Sequence, residues 1–320
     1  MKKSLLYLSS LALLISLGSC NLDTDDSNNY QTIPYSTCNL VIPQDGEAFA
    51  TPANYVMAYY YNSRTVTVSS TNLNLTGSGA SPFTTNAMPF SASAFQTEWV
   101  NYTEVTTFSG NPGSSSGVNI TNLSGYTSRL MTADPGVLPN IPAYPFTINM
   151  NLVMRYTADG TYNVYTFAPD AIFYGKTTVN TLGAAMEPYT SDETLYRVMF
   201  DKEMKKADIL FLNAKFNERM PSKRINFLVK DLDVVYSKSG YSIQMPAETE
   251  YIIPEYYEGS SFTPYPSYRF TSFNLSSSVS NNLTEATANF NLEYYMGENL
   301  AARYNCTFSG SYVTDGSSEE

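Results

Sequence analysis

Apolar and polar residues alternate along several stretches of this chain, with the period of two that is typical of β-strands. The longest example covers 146–155, and the pattern returns over 225–230 and 288–294. A helix would need apolar residues three and four positions apart, and the polar residues Asn149 and Asn151 interrupt that spacing. The pattern therefore predicts a chain made of strands, with no long helix.

Turn residues separate these stretches. Pairs drawn from Asp, Asn, Ser and Gly favour tight turns, because they tolerate the backbone angles that a reversal needs. Four such pairs are Asp45-Gly46, Asn62-Ser63, Asp159-Gly160 and Ser239-Gly240. The one short segment that fits a helix is 190–195. We therefore expect antiparallel strands joined by short turns.

The order of segments repeats once along the chain. The stretch 54–68 corresponds to 195–211, and a Met-Pro pair follows each of them, at Met88-Pro89 and at Met220-Pro221. Farther on, 143–147 corresponds to 265–271, 162–167 to 288–294, and 171–175 to 304–310. A period of this length is too long for a solenoid repeat and suits a duplicated domain.

Two β domains of about seven or eight strands each follow from this repeat. The first is expected to cover 31–185 and the second 186–320, with the joint at 183–191. A sheet that is apolar on one face has to close into a barrel or pack against a second sheet. The predicted fold class is therefore all-β, with two tandem antiparallel domains that are each a β-barrel or a β-sandwich.

Composition agrees with strands and excludes one class of partner. The chain has 27 tyrosines and 17 phenylalanines, and only 15% of its residues are charged. Aromatic side chains suit the half-buried surface of a sheet. The net charge of -11 argues against a nucleic-acid partner, because binding to phosphates relies on Lys and Arg. Basic residues concentrate in 197–238 among acidic ones, which predicts either a patch for an acidic partner or a solvated face of mixed charge.

The first residues have the composition of a secretory signal. Two lysines precede an apolar run, 5–17, that is too short to span a bilayer. The run ends in Leu17-Gly18-Ser19-Cys20, which resembles the bacterial lipoprotein signal, in which the cysteine becomes the acylated first residue. The resemblance implies a signal peptide, 1–19, and a membrane anchor at Cys20. The alternative is an ordinary signal peptide with a cysteine placed there by chance.

Residues 20–30 are acidic and nearly free of apolar side chains, so we expect a short, disordered and flexible tether. An acidic run after the lipidated cysteine resembles the export signal of surface lipoproteins of Bacteroidota. That resemblance implies the outer membrane and the cell surface as the location. The alternative is a plain linker in a periplasmic lipoprotein.

The anchor signal, the tandem β units, the Met-Pro pairs and the Phe-x-Gly sequences at 173–175 and 308–310 carry a wider resemblance. In these features the chain resembles the calycin-like or lipocalin-like surface lipoproteins of Bacteroidota. The resemblance implies a barrel with a ligand-binding role. The two-sandwich, fimbrillin-like pilus lipoproteins are the rival, with a similar anchor and length.

The sequence offers little catalytic chemistry. It has no histidine, which is the commonest general base and metal ligand in proteins. Its three cysteines are too few and too scattered for a thiolate metal site. We therefore predict no catalytic residue, no metal and no cofactor, and we predict that the protein is not an enzyme. The carboxylates that could form a glycosidase pair are Asp170, Glu187, Glu248, Glu250, Glu255 and Glu258.

Cys38 and Cys306 are the two cysteines besides Cys20. An oxidising compartment would permit a disulfide between them, which would tie the first strand of the mature chain to the last. The alternative is a pair of separate thiols.

The best candidate for ligand recognition is the loop 251–268. It carries Tyr256, Tyr257, Phe262 and Tyr265 among several prolines. Prolines stiffen a loop, and tyrosine presents a flat ring with a polar tip to a ligand. The alternative is that these rings fold back over the end of the sheet.

The leading prediction for function is a surface lipoprotein that binds an extracellular ligand without catalysis. The ligand is expected to be a glycan, a host protein or a small apolar molecule. One alternative is an assembly component, such as a fimbrillin-like pilus or surface-complex subunit, that works by strand exchange. The other is a glycoside hydrolase.

Overall fold

The computed structural model describes residues 30–76, 79–96, 100–113, 119–133, 148–157, 160–217, 225–257 and 261–312. These residues form nineteen β-strands and one short 3-10 turn, Val279–Asn281. The segment 190–195, the short helical candidate, belongs to a strand instead, because its backbone pairs with a neighbouring strand. Within the described ranges, no helix has the length and apolar character needed to cross a membrane.

The first nine strands form one antiparallel sheet. They are β1 (Tyr30–Pro43), β2 (Phe49–Tyr60), β3 (Thr65–Ser70), β4 (Phe83–Thr84), β5 (Met88–Gln96), β6 (Val100–Gly110), β7 (Asn119–Ala133), β8 (Ile148–Thr157) and β9 (Thr161–Phe167). Each long strand pairs with the next one along the chain, and β9 pairs back with β1. The two-residue β4 lies on the edge of β3. The eight long strands therefore close into a barrel.

The remaining ten strands form a second antiparallel sheet. They are β10 (Asp170–Thr181), β11 (Tyr189–Phe200), β12 (Lys206–Ala214), β13 (Ile225–Ser237), β14 (Gly240–Gln244), β15 (Glu255–Tyr257), β16 (Phe262–Pro264), β17 (Tyr268–Ser278), β18 (Glu285–Met296) and β19 (Asn299–Ser311). Eight of them again pair in chain order, and β19 returns to β10. The short β15 and β16 form a hairpin that joins the edge of β13.

The predicted fold class is confirmed, because the chain is all-β and forms two tandem antiparallel domains. The strand pairing favours barrel-like domains over sandwiches, since the first and last long strands of each set are paired with each other. Every long strand thereby has a neighbour on both sides. What remains at the edges is β4 and β16.

The alternation in the sequence corresponds to the inner and outer faces of these strands. In β18, Ala288, Phe290 and Leu292 are buried, while Asn289 lies exposed between them. The predicted strands 225–230 and 288–294 are confirmed by β13 and β18, and 148–155 lies in β8. Phe146 and Thr147 lie outside the described residues.

The division between the two sheets falls between Phe167 and Asp170, ahead of the joint expected at 183–191. Strand β10 pairs with β11 and β19, so it belongs to the second barrel although the sequence placed it in the first domain. The stretch 182–188 after β10 is exposed and contains glycine and proline, so it resembles a linker, but it is the turn of the β10–β11 hairpin. The true connection, Ala168-Pro169, is too short to be recognised by composition.

The matches predicted for the repeat agree with the strand order at the start of each barrel and are shifted by one strand at the end. Counted along each barrel, β2 and β3 correspond to β11 and β12, as predicted for 54–68 and 195–211. The stretch 162–167 lies in β9, the last strand of its barrel, whereas 288–294 lies in β18, the last but one. The mismatch follows from assigning β10 to the first domain.

The core of the second barrel is filled by aromatic rings. The Tyr196 ring stacks on Phe308 at 3.8 Å between centroids and lies 4.5 Å from Phe211. Phe290 and Phe270 extend this cluster, at 5.5 Å from each other. All five residues are buried. Side chains therefore occupy the centre of this barrel, as in other small barrels.

The core of the first barrel includes a buried polar network. The hydroxyls of Tyr55 and Thr166 both donate to Asn39 Oδ1, at 3.0 and 2.7 Å. The Asn39 Nδ2 group donates to the Thr51 carbonyl at 3.0 Å. The hydrogen bonds compensate for removing these polar groups from water, and they connect β1, β2 and β9 across the barrel seam.

One end of the second barrel packs against the wall of the first. Phe167, at the end of β9, stacks on Tyr241 at 5.2 Å and meets Phe200 at 5.3 Å. Tyr312, which follows β19, stacks on Phe173 at 4.3 Å and lies 6.4 Å from Tyr126 of β7. We call this the inner end of the second barrel. The outer end is the opposite one, where β17 and β19 begin and β18 ends.

Candidate functional site

The hairpin of β15 and β16 lies at the outer end of the second barrel. Tyr256 pairs with Phe227 near the start of β13, and Tyr265 donates its backbone N–H to the Pro254 carbonyl at 2.9 Å. A backbone bridge between Ile252 and Phe270 ties the hairpin to β17. The loop singled out in the sequence is thus an ordered extension of the barrel rim.

Four tyrosines form a continuous aromatic surface at this end. We call Tyr256, Tyr265, Tyr268 and Tyr294 the tyrosine mouth. Their rings follow one another at 5.4 Å (Tyr256 to Tyr265), 5.5 Å (Tyr265 to Tyr268) and 5.0 Å (Tyr268 to Tyr294). Phe227 lies beneath, 5.0 Å from Tyr268. Tyr268 is buried and the other three are half-buried, so the rings lead from the core to solvent.

The phenol groups of the mouth are available for hydrogen bonding to a ligand. Burial raises the pKa of Tyr268 well above the usual range of a phenol, and the nearby phenols of Tyr304, Tyr265 and Tyr294 add to the rise. Burial also raises the pKa of Tyr265, followed by its neighbours Tyr294 and Tyr256. None of the four phenol oxygens hydrogen-bonds to a residue of the described chain. Each can therefore donate and accept a hydrogen bond from a ligand.

The hairpin divides the four predicted binding residues into two pairs. Tyr256 and Tyr265 face the mouth, whereas Tyr257 and Phe262 pair with each other at 5.2 Å on the opposite face. Tyr257 is buried, so it presents little surface to a ligand. Alternation along β15 explains the split, since neighbouring residues of a strand point to opposite faces.

Sequence reasoning missed two members of the mouth, Tyr268 and Tyr294. They lie on different strands but are direct partners in the β17–β18 register. The signal that could have found them is the alternation itself. Both occupy inward positions at the ends of their strands, and Tyr294 ends the stretch 288–294 whose alternation was recognised from the sequence.

The candidate carboxylates among the described residues form ion pairs or are exposed. Asp170 accepts hydrogen bonds from Arg197, and Glu255 forms an ion pair with Lys230 at 2.7 Å. Three others, Glu187, Glu248 and Glu250, are exposed, and Glu258 lies outside the described residues. No group of three or more acidic or cysteine side chains with metal-binding geometry occurs in the described ranges.

The two thiols are free and belong to different barrels. Cys38 lies on β1, where its backbone pairs with Phe167, and Cys306 lies on β19 opposite Phe290. The disulfide considered from the sequence is therefore absent, because each barrel closes on itself and separates the first strand of the chain from the last. Burial raises the pKa of both thiols far above the usual range, so neither is a nucleophile at neutral pH.

The basic segment 197–238 contains several ion pairs. Lys206 pairs with Asp233 at 2.6 Å, and Lys205 pairs with the exposed Glu203 at 2.9 Å. Arg197 is almost fully buried against Asp170. These contacts agree with a face of mixed charge. Cys20 and residues 1–29 lie outside the described residues, so the anchor and the tether stay predictions.

No protein-family model matches this chain, and no curated protein is significantly similar to it. The case for function therefore depends on the geometry of the chain itself.

Two surface grooves are less suited to recognition than the tyrosine mouth. One, of about 430 Å³, lies on the outer wall of the second barrel and is lined largely by hydroxyls, including Ser242, Ser276 and Thr287. The other, of about 540 Å³, lies between the two barrels near Ser91 and Thr284. Among the residues that line them, neither groove has two tyrosines stacked on each other. The mouth is the better candidate site.

Proposed function

We propose that this protein is a lipid-anchored, non-catalytic binding protein of the outer-membrane surface, and that its ligand is a saccharide held at the tyrosine mouth. The supporting observation is the series of half-buried tyrosine rings whose phenol groups have no partner in the described chain. A sugar ring has an apolar face of C–H groups and an equator of hydroxyls. Tyrosine offers a flat apolar face and a polar tip that match both.

The filled core favours a ligand at the mouth over one inside the barrel. Lipocalin-type recognition of a small apolar molecule needs an open interior, and aromatic rings 3.8 to 5.5 Å apart occupy the centre of the second barrel. A ligand at the mouth needs no such space. This geometry favours the glycan among the ligands considered from the sequence.

Barrel closure favours binding over assembly by strand exchange. An exchanged strand has to add to a free sheet edge. In the described residues the strands that pair on one side only are β4 and β16, which have two and three residues. Such short edges offer few backbone groups for pairing.

A glycan array tests the binding proposal. The mature protein, purified in detergent, is applied beside the double variant Tyr256→Ala/Tyr265→Ala. The control is Tyr30→Ala/Tyr60→Ala, which removes an exposed stacked pair, 5.8 Å apart, from the first barrel. We expect binding to one saccharide class, loss of about tenfold or more in the mouth variant, and no change in the control. A protein that binds no saccharide, or a mouth variant that binds as well as the parent, would contradict the proposal.

The anchor has its own test. We expect the protein to sediment with outer membranes and to be shaved from intact cells by protease. The variant Cys20→Ser should be released into the soluble fraction, because the lipid chains are the proposed attachment. Persistent membrane association of Cys20→Ser after a carbonate wash would exclude a lipid anchor at this residue.

A further inference from the structure

Arg269 contacts two tyrosine rings on the outer face of the rim. The centre of its guanidinium is 4.2 Å from the centroid of the Tyr295 ring and 4.7 Å from that of Tyr251. A cation over an aromatic face is stabilised by the ring quadrupole, and here two rings contact the same guanidinium. We call these three residues the arginine clamp.

The edge of this guanidinium has no partner in the described chain. Arg269 Nε is buried without a hydrogen bond, and the two Nη groups make none to any described residue. A guanidinium has five N–H donors arranged in a fixed plane. A ligand that approaches in that plane meets donors that form no hydrogen bond with a described residue. In-plane approach is the geometry by which arginine binds oxyanions through two parallel hydrogen bonds.

The carboxylate opposite Arg269 in the strand register accepts its hydrogen bonds from other residues. Glu293 is the direct strand partner of Arg269, but its Oε1 accepts from Arg303 Nε at 3.0 Å and its Oε2 accepts from the Tyr295 hydroxyl at 2.8 Å. Two arginines and one glutamate leave one positive charge at this place (two minus one), in a chain of net charge -11. The tyrosine that covers Arg269 is thereby fixed by Glu293, so the clamp is held in position.

The clamp and the tyrosine mouth share a rim. Arg269 follows Tyr268 on β17, and Tyr295 follows Tyr294 on β18, so the inner face of this strand pair carries the mouth and the outer face carries the clamp. The Tyr295 N–H donates to the Ser267 carbonyl at 2.8 Å, which holds the ends of the two strands together. A ligand longer than one sugar ring can cross this rim.

We propose that Arg269 binds a singly charged oxyanion on the saccharide, such as the carboxylate of a uronic acid or a sulfate ester, so that the protein selects acidic over neutral glycans. This inference depends on the proposed function, because the saccharide at the mouth brings the anion to the clamp. The single positive charge of the group matches a single negative charge on the ligand.

The test compares one saccharide in acidic and neutral forms. Calorimetric titration of the mature protein uses oligogalacturonide, its methyl ester and a sulfated oligosaccharide of equal length. We expect the preferred acidic form to bind about tenfold or more tighter than the ester, as is typical of a charged hydrogen bond. Arg269→Gln should remove the difference and keep the affinity for the ester, and Arg269→Lys should keep part of it. Preference for the carboxylate or for the sulfate identifies the source of the oxyanion.

The matched control is Arg155→Gln, which removes an exposed arginine from β8 of the first barrel and should leave the difference unchanged. Equal binding of acid and ester by the parent protein, or a difference that survives in Arg269→Gln, overturns the role of Arg269 while the saccharide site stands. Failure of the parent to bind any of the probes, and any saccharide on the array, overturns both. Circular dichroism of each variant verifies its fold, and Arg269→Lys replaces Arg269→Gln if the latter is unfolded.

Discussion

At the scale of single residues, the buried side chain of Arg197 is the clearest case of a charge on which the stability of the fold depends. Its side chain is 5% exposed, and its Nε and Nη2 donate to the two oxygens of Asp170 at 2.7 and 2.5 Å. The pair links the first residue of β10 to β11. Asp170→Asn keeps the shape and removes the compensating charge, so we expect a loss of about 3 kcal/mol in the free energy of unfolding.

Urea unfolding measures this loss. The matched control is Glu203→Gln, which breaks the exposed pair with Lys205 and should leave the midpoint unchanged. Equal midpoints for the parent and Asp170→Asn would show that Arg197 does not need its carboxylate.

Buried tyrosines make stability depend on alkaline pH. Burial raises the pKa of Tyr55, Tyr196, Tyr241 and Tyr312 above the phenol range. Above about pH 10 the unfolded chain loses these protons while the folded chain keeps them, so the free energy of unfolding falls as pH rises. We expect tyrosinate absorbance of the native protein to lag behind that of the urea-unfolded protein. Coincident titration curves would contradict the burial of these phenols.

At the scale of elements, the seam between β10 and β19 closes the second barrel. Gly175 pairs with Gly310, and these are the glycines of the two Phe-x-Gly sequences. A Cβ on Gly175 would meet the Ser309 carbonyl oxygen 2.0 Å away, and that oxygen belongs to the backbone and cannot move aside. Gly175→Ala should therefore destabilise the fold by at least about 2 kcal/mol.

The control for the seam is Gly79→Ala, since nothing lies within 4 Å of its added Cβ. Thermal unfolding followed by circular dichroism compares the two variants with the parent. If Gly175→Ala unfolds at the same temperature as Gly79→Ala, the two strands do not approach each other as closely as described.

The sequence predicted strands well because alternation is a local property. Positions 225–230 and 288–294 follow a period of two, and the structure places both in strands. Which strands pair with each other depends on closure of the whole sheet. The joint between domains was therefore misplaced, since 182–188 is long enough to be taken for a linker and Ala168-Pro169 has only two residues. Because strand pairing is not a local property of the sequence, the later matches of the repeat were also shifted by one strand.

At the scale of the molecule, each barrel depends on contacts between residues far apart in the chain. Phe167 meets Tyr241 at the inner end, and the tyrosine mouth at the outer end brings Tyr256 and Tyr294 into one surface. Composition indicated that aromatic rings would pack on the sheets, but it could not predict which rings would contact each other. Half of the predicted binding residues, Tyr256 and Tyr265, lie in the mouth, because the loop was recognisable from its prolines while its partner strands were not.

Amide hydrogen exchange, measured by mass spectrometry with and without the saccharide selected on the array, tests the central claim most directly. The prediction is slower exchange in 251–257, 262–268 and 292–296, which surround the tyrosine mouth, and unchanged exchange in the first barrel. Protection confined to 30–167, or no protection at the rim of the second barrel under saturating saccharide, would contradict a binding site at the mouth.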